Sequence, residues 1–282
     1  MDFLFQNAKY IVMNHLSHQP VFQTVRYWLV DHPIIVNFSW KQGETPASSL
    51  LFLTLTLLSY LFFTFFLSHV TKPNFSPKFV RNLTAVHDVV LLSLSYVMAL
   101  GCSLSILILA PDIDYIVCFP KKTPPTGPLF FWAYIFYLSK IYEFMDTLLI
   151  ILSNSIQRLT FLHLYHHSVV VVMCYISLNI SQSMFQPVLV TNALVHVIVY
   201  FYYFLCALGK RPRWKKLVTD CQITQFFSSF AIMAWIFYYH FTGSGCSGIM
   251  GWCFDAVFIT SLLFMFLDFH SKNYSKEKTK GN

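Results

Sequence analysis

Apolar residues in this chain run in long blocks separated by short polar breaks. Blocks near the twenty residues that a helix needs to cross hydrocarbon fall at 48–67, 86–109, 129–152, 162–181, 184–207, 217–241 and 249–269. The fourth and fifth are the least cleanly separated. Between the second and third lies Pro120-Lys-Lys-Thr-Pro-Pro-Thr-Gly-Pro128, which no helix can run through. The pattern predicts an all-α, polytopic membrane protein with seven transmembrane helices over 48–270. A polar N-terminal segment, 1–47, with Pro20, Pro33 and Pro46, precedes it, and a Lys-rich tail, 271–282, follows. The first 47 residues lack a basic stretch followed by an apolar run and a small-residue cleavage site, so no removable signal peptide is expected. The first span then serves as its own targeting signal. No repeat of helix-pair size and no low-complexity tract stands out.

Composition agrees with the pattern. Hydrophobic residues make up 56% and aromatics 18%, while only 11% are charged, against roughly 25% in soluble domains. The few charges are unevenly placed. Lys72, Lys78, Arg81, Arg158, Lys210, Arg211, Arg213, Lys215, Lys216, Lys272, Lys276, Lys278 and Lys280 fall on one side of the expected membrane, and only Lys121 and Lys122 occupy the loops of the other. The positive side is the cytosolic one, which puts the C-terminus in the cytosol and the N-terminus in the lumen. These loops largely explain the net charge of +7, so no nucleic-acid partner is required. They suit two readings: topology alone, or an anionic ligand such as the phosphates of a coenzyme, with Arg211 and Lys215 as candidates.

Polar and ionisable groups inside the apolar blocks narrow the function. A strongly charged side chain at membrane depth costs about 2.5–3.5 kcal/mol and persists mainly where it faces a polar cavity. His163-Leu-Tyr-His166-His167 places three imidazoles at i, i+3 and i+4, on one helical face. Lys140-Ile-Tyr-Glu143-Phe-Met-Asp146-Thr147 carries three charges on roughly one side of its helix. Lys140 can pair with Glu143 as an interhelical seam, leaving Asp146 to orient an imidazole. Asn192-Ala-Leu-Val-His196, followed by Tyr200, Tyr202 and Tyr203, adds a fourth intramembrane histidine. Alone, it would more often be a satisfied packing residue. Thr219, Gln222 and Gln225 are taken to share one face, as interhelical hydrogen-bonding groups or as ligand contacts.

Together, these four segments resemble the K-x-x-E-x-x-D-T, H-x-x-H-H, N-x-x-V-H-x-x-M-Y-x-Y-Y and T-x-x-Q-x-x-Q patterns of the ELO family of fatty-acid elongases, in family order. Val199 stands where the third pattern usually has Met, a change suited to altering tunnel shape rather than chemistry. The resemblance implies a very-long-chain 3-oxoacyl-CoA synthase of the endoplasmic reticulum, with helices two to seven forming a barrel around an acyl tunnel and the first helix outside. Its substrates would be a long-chain acyl-CoA and malonyl-CoA, with no further cofactor and no metal. Partners implied are the lipid bilayer, the other enzymes of the elongation cycle and a possible second copy of the chain. By resemblance, His166 takes the acyl group as an acyl-imidazole and His196 polarises the malonyl thioester or its enolate. His163 and His167 complete the cluster, and Glu143 and Asp146 fix imidazole tautomers. Lys140, Asn192, Tyr200, Tyr203, Gln222, Gln225, Arg211 and Lys215 are the expected substrate contacts.

Three other readings compete. Cys174, two turns after His167, is a rival nucleophile, although nothing cationic nearby in sequence would activate it. A membrane di-iron desaturase or hydroxylase also carries H-x-x-H-H, but filling two metal spheres takes several such boxes. Here His15, His18, His32, His69, His87, His240 and His270 look scattered, and no second ligand cluster suggests zinc. A seven-helix transporter or receptor would explain the topology but not four histidines beside an acidic pair. On the lumenal side, Cys118 and Cys246 are expected to form a disulfide, with Cys253 the competing partner. Asn37-Phe-Ser39 is a candidate glycan site. Lys278-Thr-Lys280-Gly-Asn282 resembles a dilysine signal for retrieval to the endoplasmic reticulum, with a solvated tail as the alternative.

Overall fold

The computed structural model describes residues 2–70 and 75–274, so Lys72 and the proposed retrieval signal at Lys278 and Lys280 lie outside the described residues. Three short helices, α1 (Asp2–Ile11), α2 (Pro20–Arg26) and α3 (Pro33–Val36), precede the long ones. These are α4 (Leu50–Val70), α5 (Pro77–Leu109), α7 (Pro128–Tyr142), α8 (Phe144–Leu152), α9 (Phe161–Asn179), α10 (Phe185–Ala207), α11 (Lys215–Thr242) and α12 (Ile249–Tyr274). A five-residue helix, α6 (Ile113–Val117), sits between α5 and α7. Pro77 and Pro128 open α5 and α7 at positions whose N–H groups would have no helical partner. Thr160 caps α9 by accepting from the His163 N–H at 3.2 Å, which fixes the histidine run in the first two turns.

Among the described residues, five helices, α4, α5, α9, α10 and α12, are long and apolar enough to cross a membrane. Two expected spans, 129–152 and 217–241, differ. The first is split at Glu143, where Asp146 N–H bonds Glu143 O at 3.0 Å in a tightened i to i+3 turn, leaving helices of 15 and 9 residues. The second is one 28-residue helix, α11, whose apolar residues are diluted by Gln225, Ser228, Ser229 and His240. α5 begins at Pro77, well ahead of the expected 86.

Packing runs in a cycle. α5 packs on α7, α7 on α9, α9 on α12, α12 on α11, α11 on α10, and α10 returns along α5 in the most extensive contact of the molecule. α4 lies outside this cycle, against α8 and α9. It buries only the stripe Leu53, Tyr60 and Thr64, while Leu51, Phe62 and Phe65 face outward, as side chains in contact with hydrocarbon do.

One end of the bundle is tied down. Cys118 and Cys246 form a disulfide beside the antiparallel bridge of Pro120 with Cys246, joining the α6–α7 loop to the α11–α12 connection. Cys253, the rival partner, is a free, exposed thiol. The N-terminal segment packs on the bundle at this end rather than trailing from it. Trp40 Nε1 donates to Asn179 Oδ1 at 3.2 Å, and the Tyr137 hydroxyl donates to the Ala47 carbonyl at 3.0 Å. Asn37 remains exposed.

Candidate functional site

A cavity of about 990 Å³ lies among α5, α8, α9, α10, α11 and α12, at the upper end of the roughly 300–1,000 Å³ usual for ligand pockets. Its lining includes the start of α5, the end of α8, the start of α9, the end of α10, the start of α11 and the end of α12. These are the ends remote from the disulfide. Arg81, Arg158 and Lys215 line the cavity there, and His163, His166, His167 and His196 line it further along their helices. A cationic entrance thus leads to imidazoles.

The histidines differ in how they are held. His196 Nδ1 is 2.8 Å from the Asn192 carbonyl, which only accepts, so that nitrogen carries the ring proton. Its Nε2 therefore presents a lone pair and accepts from Lys140 Nζ at 3.3 Å. The same ammonium donates to Glu143 Oε1 at 2.7 Å, and that carboxylate oxygen is 4.0 Å from His196 Nε2. Lys140 and Glu143 are 1% and 2% exposed, making a fully buried ion pair with an imidazole beside it. His163 Nε2 meets Thr147 Oγ1 at 2.8 Å. The His163 and His167 ring centroids are 4.4 Å apart, and those of His166 and His167 are 5.4 Å apart. Nδ1 of His166 and Nδ1 of His167 are buried without a hydrogen-bond partner among the described residues.

Asp146 makes contacts other than those expected. Its Oδ1 is 3.0 Å from His87 Nε2, and its Oδ2 accepts from the Tyr200 hydroxyl at 3.0 Å. It orients an imidazole, but that of α5 rather than one from the histidine run. Glu143 likewise bonds Lys140 directly and reaches an imidazole only at longer range. His196 has both nitrogens engaged, so it has no free N–H with which to polarise a carbonyl.

Of the expected site residues, Glu143, Asp146, His163, His166, His167, His196, Tyr200, Tyr203, Gln222 and Lys215 line the cavity. Lys140 lies behind Glu143 and His196 rather than in the lining. Asn192 acts through its carbonyl on His196. Gln225 stands outside the lining and accepts the Ser228 and Ser229 hydroxyls at its carbonyl. Six residues along a helix is about 120° off register, which turns Gln225 away from the face that Thr219 and Gln222 present. Arg211, in the α10–α11 connection, is exposed and also outside the lining. Cys174 is fully buried in the core and does not reach the cavity, as befits a packing residue.

His87 is not scattered. It and Asp88 are 4% and 1% exposed, Asp88 lines the cavity, and the Asp88 Oδ2 atom has no partner among the described residues. Two adjacent ionisable residues in an apolar block carry the signal that singled out the other segments. Arg81 and Arg158, among the basic residues that suited either topology or an anionic ligand, join the lining. Among the described residues, no three His, Cys, Asp or Glu side chains converge as metal ligands.

Over residues 45–282 the chain matches the ELO family, described as the GNS1/SUR4 family. It is 33% identical over 258 residues to Fatty acid elongase A of Dictyostelium discoideum, covering 87% of this chain and 91% of that protein. Over 270 residues it is 26% identical to Fatty acid elongase 3-like of Arabidopsis thaliana, covering 89% and 92%. With Very long chain fatty acid elongase 5 of Xenopus laevis, identity is 35% over 157 residues, covering 52% and 49%.

Proposed function

Because the chain belongs to the ELO family of fatty-acid elongases, we propose that it is the condensing enzyme of the elongation cycle, joining a long-chain acyl-CoA to malonyl-CoA. The observation that carries this reading is the convergence of His163, His166, His167 and His196 on one cavity with Arg81, Arg158 and Lys215 at its entrance. In this reading the cations hold coenzyme phosphates, which suit Arg and Lys clusters. The acyl chain runs inward through a barrel of α5 and α7 to α12, with α4 outside, and the seven spans place the N-terminus in the lumen of the endoplasmic reticulum.

The chemistry has two halves. His166, which lines the cavity, attacks the acyl thioester carbonyl through a ring nitrogen. A C–N bond forms, the C–S bond breaks, and coenzyme A leaves with the imidazole proton. Malonyl-CoA then loses CO2 to give an enolate, whose carbon attacks the acyl-imidazole. A C–C bond forms, the C–N bond breaks, and His166 regains a proton. The products are 3-oxoacyl-CoA, CO2 and free coenzyme A, with one proton consumed.

Because both His196 nitrogens are engaged, the developing negative charge is met by the charge beside that imidazole rather than by a preformed N–H. In this reading the Lys140 ammonium, 3.3 Å from His196 Nε2, polarises the imidazole and offsets the enolate charge, while Glu143 holds the ammonium at 2.7 Å. Gln222 serves as a coenzyme or thioester contact. The other enzymes of the cycle, which reduce and dehydrate the 3-oxo product, are the expected neighbours in the membrane.

Microsomes expressing the chain, given malonyl-CoA and a panel of acyl-CoAs, test the reading. A 3-oxoacyl-CoA two carbons longer than one panel member is expected. Microsomes that leave both substrates intact across the panel contradict it.

A further inference from the structure

Helix α4, outside the cycle of packed helices, sends one side chain to the histidine cluster. Tyr60 belongs to its narrow buried stripe and is 7% exposed. Its ring stacks on Phe144 with centroids 3.9 Å apart and planes 12° from parallel. Its hydroxyl is 2.9 Å from Thr147 Oγ1, and Thr147 Oγ1 is in turn 2.8 Å from His163 Nε2. Three groups on three helices therefore form one chain of hydrogen bonds ending on an imidazole that lines the cavity.

Counting protons gives the chain a direction. The Tyr60 hydroxyl has Thr147 as its hydrogen-bond partner and no other among the described residues, so its single proton points at Thr147 Oγ1. Thr147 Oγ1 has no other acceptor among the described residues, so its own proton goes to His163 Nε2, which then presents a lone pair, and the ring proton sits on Nδ1. The opposite direction would bury the phenol proton with no acceptor, the costlier arrangement. We propose that Tyr60 is a positioning residue that fixes the tautomer of His163 through Thr147. This rests on the reading of the histidine cluster as the condensing site. The His163 ring lies tilted beside that of His167, and His167 meets His166 edge-on, so a fixed tautomer sets the local dipole beside the nucleophile. Without the phenol hydroxyl, Thr147 is free to turn round and accept from an Nε2–H, and both tautomers become populated.

Tyr60→Phe keeps the ring and its stacking and removes only the hydroxyl. Two readouts are expected to move. In protein labelled with 15N at histidine, with the His163 signal identified by His163→Gln, the wild type shows an unprotonated Nε2 and a protonated Nδ1, and Tyr60→Phe shows a mixture. In the condensation assay, kcat falls about tenfold to a hundredfold, the scale for losing a partner that orients a functional imidazole, while KM for acyl-CoA is unchanged. Thr147→Val, which cuts the chain one link nearer to His163, lowers kcat at least as far, and the double variant loses no more than Thr147→Val alone. Thr147→Ser, which retains the hydroxyl, keeps the wild-type tautomer. Thr64→Val, on the same stripe without a link to His163, leaves activity unchanged.

An unaltered His163 nitrogen spectrum in Tyr60→Phe, or fully additive losses in the double variant, overturns the proposal. The nitrogen spectrum needs no substrate, so it is decided separately from the elongase reading, which fails instead if the wild type consumes no malonyl-CoA.

Discussion

His166→Ala abolishes both condensation and the release of coenzyme A from acyl-CoA alone, while His196→Ala retains that release and loses condensation. The two outcomes differ because the two imidazoles act in different half-reactions. His166 lines the cavity, and alanine leaves no group in its place to form the covalent intermediate. A loss of roughly 10⁴-fold or more is the scale for removing a nucleophile. His196 is held between the Asn192 carbonyl and Lys140, and its task begins when malonyl-CoA loses CO2. Removing a group that stabilises developing negative charge costs about 10²–10³-fold. Coenzyme A release followed with and without malonyl-CoA separates the two. Full release in His166→Ala contradicts the covalent assignment.

Lys140→Met destabilises the protein by about 3–5 kcal/mol, the usual cost of leaving a buried charge without its partner, and also removes condensation. Met has nearly the same length and no charge, so the loss falls on Glu143, which is 2% exposed, and on His196 Nε2, which has no other donor within hydrogen-bond distance among the described residues. The double variant Lys140→Met with Glu143→Gln removes the orphaned charge. It recovers most of the stability and none of the condensation, because the ammonium beside His196 is still missing. Thermal unfolding in detergent alongside the condensation assay reads both effects. A Lys140→Met protein with wild-type stability and turnover would contradict the account of this ion pair.

The parts of the fold visible in the chain are those that a bilayer dictates residue by residue. α4, α9, α10 and α12 lie close to the expected 48–67, 162–181, 184–207 and 249–269 because an apolar block of that length has few alternatives. The break at Glu143 was not visible, since averaging hydropathy over 129–152 hides one tightened turn. The start of α5 was visible in principle: Pro77 is the sort of residue that opens a helix, but charged Lys78 and Arg81 mask the run.

The candidate site divides in the same way. Histidines and carboxylates in apolar blocks are exceptional, so His163, His166, His167, His196, Glu143 and Asp146 stand out, and all of them line the cavity. Which atom bonds which does not follow from spacing. Asp146 pairs with His87 across 59 positions in sequence, a partner that depends on how α5 is placed against α8. Tyr60 was invisible for a different reason. A tyrosine among apolar residues is ordinary, and only the position of its hydroxyl against Thr147 distinguishes it. Gln225 and Arg211 lie outside the cavity lining, one by drift around its helix and the other in an exposed connection.

A covalent acyl group on the histidine cluster can be weighed directly. Purified protein is incubated with a long-chain acyl-CoA and no malonyl-CoA, digested at mild pH, and the peptide containing His163 to His167 is weighed and fragmented. The account predicts an added acyl mass on His166 that disappears when malonyl-CoA is supplied. An unmodified peptide accompanied by full condensation activity, or an acyl mass found on Cys174 instead, would contradict it.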